Sequence, residues 1–123
     1  MRQATNLFEQ LPLDEMEPGL ASAIATTRVE PAEISRRLGI RFEPARDDLD
    51  SMQAALLRSP SGRQFALVRH EHQPAPGTDI LTNENSCSIA HDLQESLAML
   101  QMTVDDLDWV HPDAIAVTQS NVR

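Results

Sequence analysis

His70 and His72 stand one residue apart and Cys87 and His91 four apart, in a chain with four histidines and one cysteine. On a strand side chains alternate, so the two histidines share a face and both imidazoles can reach one zinc-sized ion. Cys87 and His91 share a side at helical spacing, and the four residue types are those of a tetrahedral zinc site. The pattern lacks the C-x-x-C clamps that make zinc sequences specific. A helix starting near Ser86 would also turn Cys87 and His91 about 130° or more away from its apolar stripe. The expectation is therefore surface histidines near a sheet edge, with zinc as the metal to test and no cofactor expected.

The same pair has a use without metal. Asp50 is placed opposite His72, and a carboxylate beside an imidazole raises its pKa toward neutrality, as in general bases and pH switches. No nucleophile accompanies the pair at a defensible spacing. Ser51 follows Asp50 on the opposite strand face, and Cys87 is distant in sequence. An enzyme is not the expectation.

Two further sets carry charge. Arg36, Arg37, Arg41 and Arg46 lie in and behind "PAEISRRLGI", which has the look of the first helix of a helix-turn-helix. A recognition helix should then present Arg, Asn or Gln to a major groove. The next residues are instead "RFEPARDDLDS", with Asp47, Asp48 and Asp50 where phosphates would lie. At the other end Asp105, Asp106, Asp108 and Asp113 surround Trp109, the only tryptophan. An EF-hand loop needs a central glycine and a terminal glutamate, and this segment has neither. A lone tryptophan rimmed by carboxylates has the composition of a protein-binding anchor with a charged border.

These residues are positioned by elements that the local chemistry predicts. Pro31 suits the first helical position, Ile34 and Leu38 share a face, and Gly39 suits a left-handed cap, giving a helix over about 31–38. "SMQAALLR" and "RQFALVRHEH" flank "SPSG", whose Pro60 and Gly62 build a type I turn with a bulge. The pattern predicts a β-hairpin over about 51–58 and 63–72. Pairing Ser59 with Arg63 sets Leu57 opposite Phe65, Ala55 opposite Leu67 and Gln53 opposite Arg69 on one face. The other face takes Leu56–Ala66, Ala54–Val68, Met52–His70 and Asp50–His72. Phe65, Leu67 and Leu57 mark the core side. "QPAPGT" reads as a type II turn into a third strand over about 78–83. Ile89, Leu93, Leu97 and Leu100 fall within about an 80° arc and predict a helix over about 88–101. Thr103 caps a shorter helix over about 104–109, stopped by Pro112. Residues 1–30, with "LFEQLP" and "LASAIATTRV" looking helical between Pro12, Pro18 and Gly19, read as short helices or an arm packed on the body.

The whole reads as α+β: an antiparallel sheet of three or more strands with helices mainly on one face, in one domain over 1–123. The formal charge of −9 repels phosphate backbones and anionic membrane surfaces, which sets nucleic acid and membranes aside as partners. All ten basic residues are arginine, which reads as the mark of a GC-rich bacterial genome. The lone cysteine and a start unlike a signal peptide point to the cytoplasm. The expected role is a non-enzymatic, acidic protein-binding module, antitoxin- or immunity-like, that caps a basic partner. A homodimer through a free sheet edge is the further partner expectation.

Overall fold

A computed structural model describes residues 7–46, 50–73 and 76–119. The strands are β1 (Glu9–Leu11), β2 (Leu20–Thr27), β3 (Glu43–Arg46), β4 (Ser51–Arg58), β5 (Gln64–His70), β6 (Thr78–Asn83) and β7 (Leu107–Val110). The helices are α1 (Pro31–Leu38), α2 (Ile89–Leu100) and α3 (Ile115–Gln119). All strands pair antiparallel in the order β1-β4-β5-β6-β2-β7, with β3 beside β1 along the same edge of β4. The architecture is α+β, as expected.

The hairpin forms in the register that its turn dictates. Ser59 and Arg63 close it, the Ser59 N–H reaching the Arg63 carbonyl at 2.8 Å, and the ladder runs from Arg58–Gln64 to Met52–His70. Gly62 holds the bulge at φ +91. Pro31 opens α1 and Gly39 closes it at φ +73. Ser88 caps α2 by accepting the His91 N–H at 3.1 Å. Residues 74 and 75 of the expected type II turn lie outside the described residues, but Gly77 has the positive φ that the turn needs, +126.

Three expectations are corrected. "LASAIATTRV" is not helical: it contains β2, an inner strand held by β6 and β7. Alanine is the best helix former, but intrinsic propensity yields to tertiary context: Ile24, Ala25 and Thr27 are buried here and the ladder satisfies the backbone on both sides. The helix over about 104–109 is a 3-10 turn at Val104–Asp106 that gives way to β7. Leu107 and Val110 gain core contacts by pairing with β2, which outweighs the continuation of a short helix. Third, "LFEQLP" is not helical either: it contains β1, which pairs with β4 from Glu9–Arg58 to Leu11–Leu56. After α1 the chain enters β3, which pairs with β4 from Glu43–Ala54 to Arg46–Ser51.

The helices cover one face. Ile34 of α1, Leu93, Leu97 and Leu100 of α2, and Val117 of α3 pack on Leu57, Phe65, Leu67, Ile80 and Ile24. Each large side chain fully buried there is worth about 1.5–3 kcal/mol. The opposite face carries a second apolar cluster of Leu11, Leu20, Ala54, Leu56, Ala66 and Val68. The 12–19 segment lies against its near end, where the Gln64 amide donates to the Glu15 carbonyl at 3.0 Å and accepts the Glu17 N–H at 2.8 Å.

Candidate functional site

The four candidate zinc ligands do not converge. His70 ends β5 and His72 lies two residues beyond, whereas Cys87 adjoins Gly62, Arg63 and Gln64 at the start of that strand. Seven strand residues separate the two ends by about 20 Å. One member of each pair instead meets carboxylates. The side chains of His72, Asp50 and Glu71 bring ligand-type atoms within 4.8 Å of one another, as do those of His91, Asp92 and Glu95. In the second group the buried Asp92 carboxylate is already held through Oδ2 by Arg63, Thr82 and Ser86.

Asp50 and His72 meet as their placement predicts, just past the last ladder pair. His72 Nδ1 stands 2.9 Å from Asp50 Oδ1, and the His72 backbone N–H donates to Oδ2 at 3.2 Å. The hydrogen bond that His72 donates to the Asp50 carboxylate raises the His72 pKa above the usual imidazole range, with the charges of Asp50 and Glu71 adding to it. Loss of hydration pushes Asp50 up, but the bonds from His72 and Ser51 outweigh it and leave its carboxyl below the ordinary value. His72 is 79% exposed, so this is a solvent-facing ion pair at a strand end.

The arginine set is dispersed. Arg36 and Arg37 both bond the Glu33 carboxylate, and these bonds hold the Glu33 carboxyl down at about 2. Arg41 lies past the helix, its backbone N–H bonded to the Gln10 side chain at 3.0 Å. Arg46 ends β3.

The acidic residues lie in and beside an edge strand. β7 is the last strand of the sheet, paired only with β2 among the described residues. Thr103 and Asp106 exchange capping-box bonds, so the Asp106 carboxylate is spent on the chain itself. Asp105, Asp108 and Asp113 are exposed, and Trp109 is 45% exposed. Trp109 pairs with Thr26, which bonds Asp79 at 2.8 Å, so the indole stands on the sheet face away from the helices. His111 meets it edge-on at 6.3 Å.

Arg28 fixes this end in place, a role with no signal in the local sequence. Its backbone N–H donates to the Asp106 carbonyl at 2.9 Å, and its guanidinium donates to the carbonyls of Asp105 at 2.8 Å and Leu107 at 3.0 Å. Asp108 lies 3.8 Å from the same guanidinium. Nothing near Arg28 announces the contact, because its partners lie far along the chain. The turn and strand are thus tied to the end of β2.

Compared with protein-family models, curated proteins and solved structures, the chain matches none. Among the described residues no helix is long and apolar enough to cross a membrane.

Proposed function

We propose that the chain is a non-enzymatic protein-binding module that docks a basic partner on the β7 edge, in the manner of antitoxin or immunity proteins of the bacterial cytoplasm. The observation that carries this reading is Trp109, a large apolar side chain 45% exposed on an edge strand, with the exposed Asp105, Asp108 and Asp113 within four residues of it along the chain. An aromatic anchor within a charged rim is the composition of a binding hot spot. An edge strand also offers free backbone groups to an incoming chain.

Charge selects the partner. Antiparallel pairing of two β7 edges would bring two acidic strand ends onto one seam, and like charges near one another across a ladder are destabilising. A lysine- or arginine-rich segment meets the opposite situation, and the −9 charge steers it inward.

Affinity capture with the wild-type chain in low salt tests this reading. The expected outcome is retention of a basic protein that is lost with Trp109→Ala and weakened by the triple change of Asp105, Asp108 and Asp113 to asparagine. Retention unchanged by either variant, or no basic protein retained, overturns it.

A further inference from the structure

Trp109, Thr26 and Asp79 stand in one row across β7, β2 and β6, because Thr26 is the register partner of both the tryptophan and the aspartate. Register partners turn their side chains to the same face. The indole and the carboxylate therefore rise from the side of the sheet away from the helices, two strand spacings or about 10 Å apart. Thr26, the smallest of the three, leaves a saddle between them, and its hydroxyl donates to Asp79 Oδ1 at 2.8 Å.

The carboxylates closer to Trp109 in sequence have other contacts. Asp108 lies 3.8 Å from the Arg28 guanidinium, Asp106 accepts the Thr103 N–H, and Asp113 lies 4.0 Å from His111 Nδ1. Asp79 accepts the Thr26 hydroxyl and meets no cation among the described residues. It is half-buried, and it opens on a hollow of about 560 Å³ that it lines with Ala23, Val68 and Leu81. Among such neighbours the carboxylate gives up part of its hydration without gaining a charge partner in return. Its complement is a cation brought from outside.

The indole says which cation. A group seated over Thr26 lies one strand spacing, about 5 Å, from each side of the row, within the roughly 6 Å over which an indole attracts a cation. A guanidinium is planar: it stacks on the ring and presents N–H groups in its own plane to a carboxylate at the same time. A lysine ammonium is a compact, strongly hydrated point charge that gains less from the ring. His111 meets the indole edge-on at 6.3 Å.

We propose that Trp109 and Asp79 together receive an arginine side chain of the basic partner, laid across Thr26 with its guanidinium on the carboxylate and against the indole. The inference rests on the protein-binding reading of the β7 edge and adds to its rim a carboxylate from β6.

The chain has one tryptophan and no tyrosine, so its indole emission reports this site alone. The test follows that emission in the full chain while capped tri-arginine or tri-lysine is added at low salt. The two peptides carry the same charge, so steering by the net charge of −9 acts equally on both and their difference reads the site. Tri-arginine is expected to bind with a Kd below about 1 mM, and tri-lysine at least about tenfold more weakly. Asp79→Asn, which keeps an acceptor for Thr26, should weaken tri-arginine by about tenfold and tri-lysine by less, so that the preference disappears. Asp79→Ser provides a second variant if asparagine perturbs the fold. Equal binding of the two peptides by the wild-type chain overturns the proposal, as does an arginine preference unchanged in Asp79→Asn or no tri-arginine binding below about 1 mM. Affinity capture separates this inference from the reading beneath it. A basic protein lost with Trp109→Ala but held equally by Asp79→Asn leaves the β7 reading standing and overturns the arginine seat, whereas no basic protein retained by the wild-type chain overturns both.

Discussion

Arg63 reaches from the β4–β5 turn into the first turn of α2 and donates to the Asp92 carboxylate at 2.8 Å. Asp92 is 1% exposed and also accepts the hydroxyls of Thr82, at 2.8 Å, and Ser86. One buried carboxylate therefore joins the hairpin turn, β6, the loop before α2 and α2 itself. Asp92→Ala should cost about 3 kcal/mol, because it leaves a guanidinium and two hydroxyls without their acceptor. Asp92→Asn keeps the shape and should cost less. Urea unfolding followed by circular dichroism measures both, and equal, negligible losses would show that the carboxylate does not hold these elements together.

Gly77 combines a φ of +126 with the closest approach at any glycine: a Cβ added there would lie 2.1 Å from the Thr27 carbonyl oxygen. The obstacle is backbone of an inner strand and cannot swing aside. Gly77→Ala should cost about 3 kcal/mol or more. Gly62→Ala, also at positive φ but into open space, should cost only about 1 kcal/mol. Denaturation midpoints of the two variants compare these outcomes directly.

The Asp50–His72 pair gives a pH signature. The folded pKa of His72 is raised, so its contribution is complete below the unfolded imidazole value and fades as pH rises through the folded value. The folded pKa of Asp50 is lowered, so its contribution is present above the unfolded carboxylate value and is lost as pH falls through the folded value. The pair is therefore strongest between about pH 4 and pH 6.5. Proton NMR titration should find His72 above the ordinary imidazole range, and Asp50→Asn should lower it. A His72 pKa unmoved by Asp50→Asn would show that the contact does not persist in solution.

Trp109 and Leu107 should separate binding from stability. Leu107 is 8% exposed and packs in the core, so Leu107→Ala should cost about 2–4 kcal/mol. Trp109→Ala should cost under about 1 kcal/mol, because nearly half of the side chain is already in water. A large loss of stability in Trp109→Ala would make the tryptophan a structural residue instead of an anchor.

The elements legible in the sequence are those whose signals are local. Pro60 and Gly62 set the hairpin and with it the register, Pro31 and Gly39 bound α1, and the Ile89–Leu100 stripe marks α2. β2 is illegible because its alanines read as helix-forming, while its strand state depends on β6 and β7, both far along the chain. β7 is hidden for a related reason: four residues carry little periodicity, and the Thr103 cap points to a longer helix. The acids and Trp109 are visible as a group, but their clamp, Arg28, is not. The second apolar face does have a signal, the unbroken apolar runs at 54–57 and 65–68, which exceed what a sheet with one wet face requires.

The position of β2 bears on the order in which the chain assembles. β4, β5 and β6 succeed one another closely and can zip together as a meander through short loops. β2 must wait, because Thr27 finds Thr78 on one side and Leu107 on the other. Loop-closure entropy makes such distant pairing slow. During synthesis on the ribosome, the inner edge of β6 should stay open until β2 docks, and β2 should lack its second neighbour until the β7 segment has emerged. Pulsed hydrogen exchange should accordingly protect the β4–β6 amides before those of β2, making β2 the keystone that is set last.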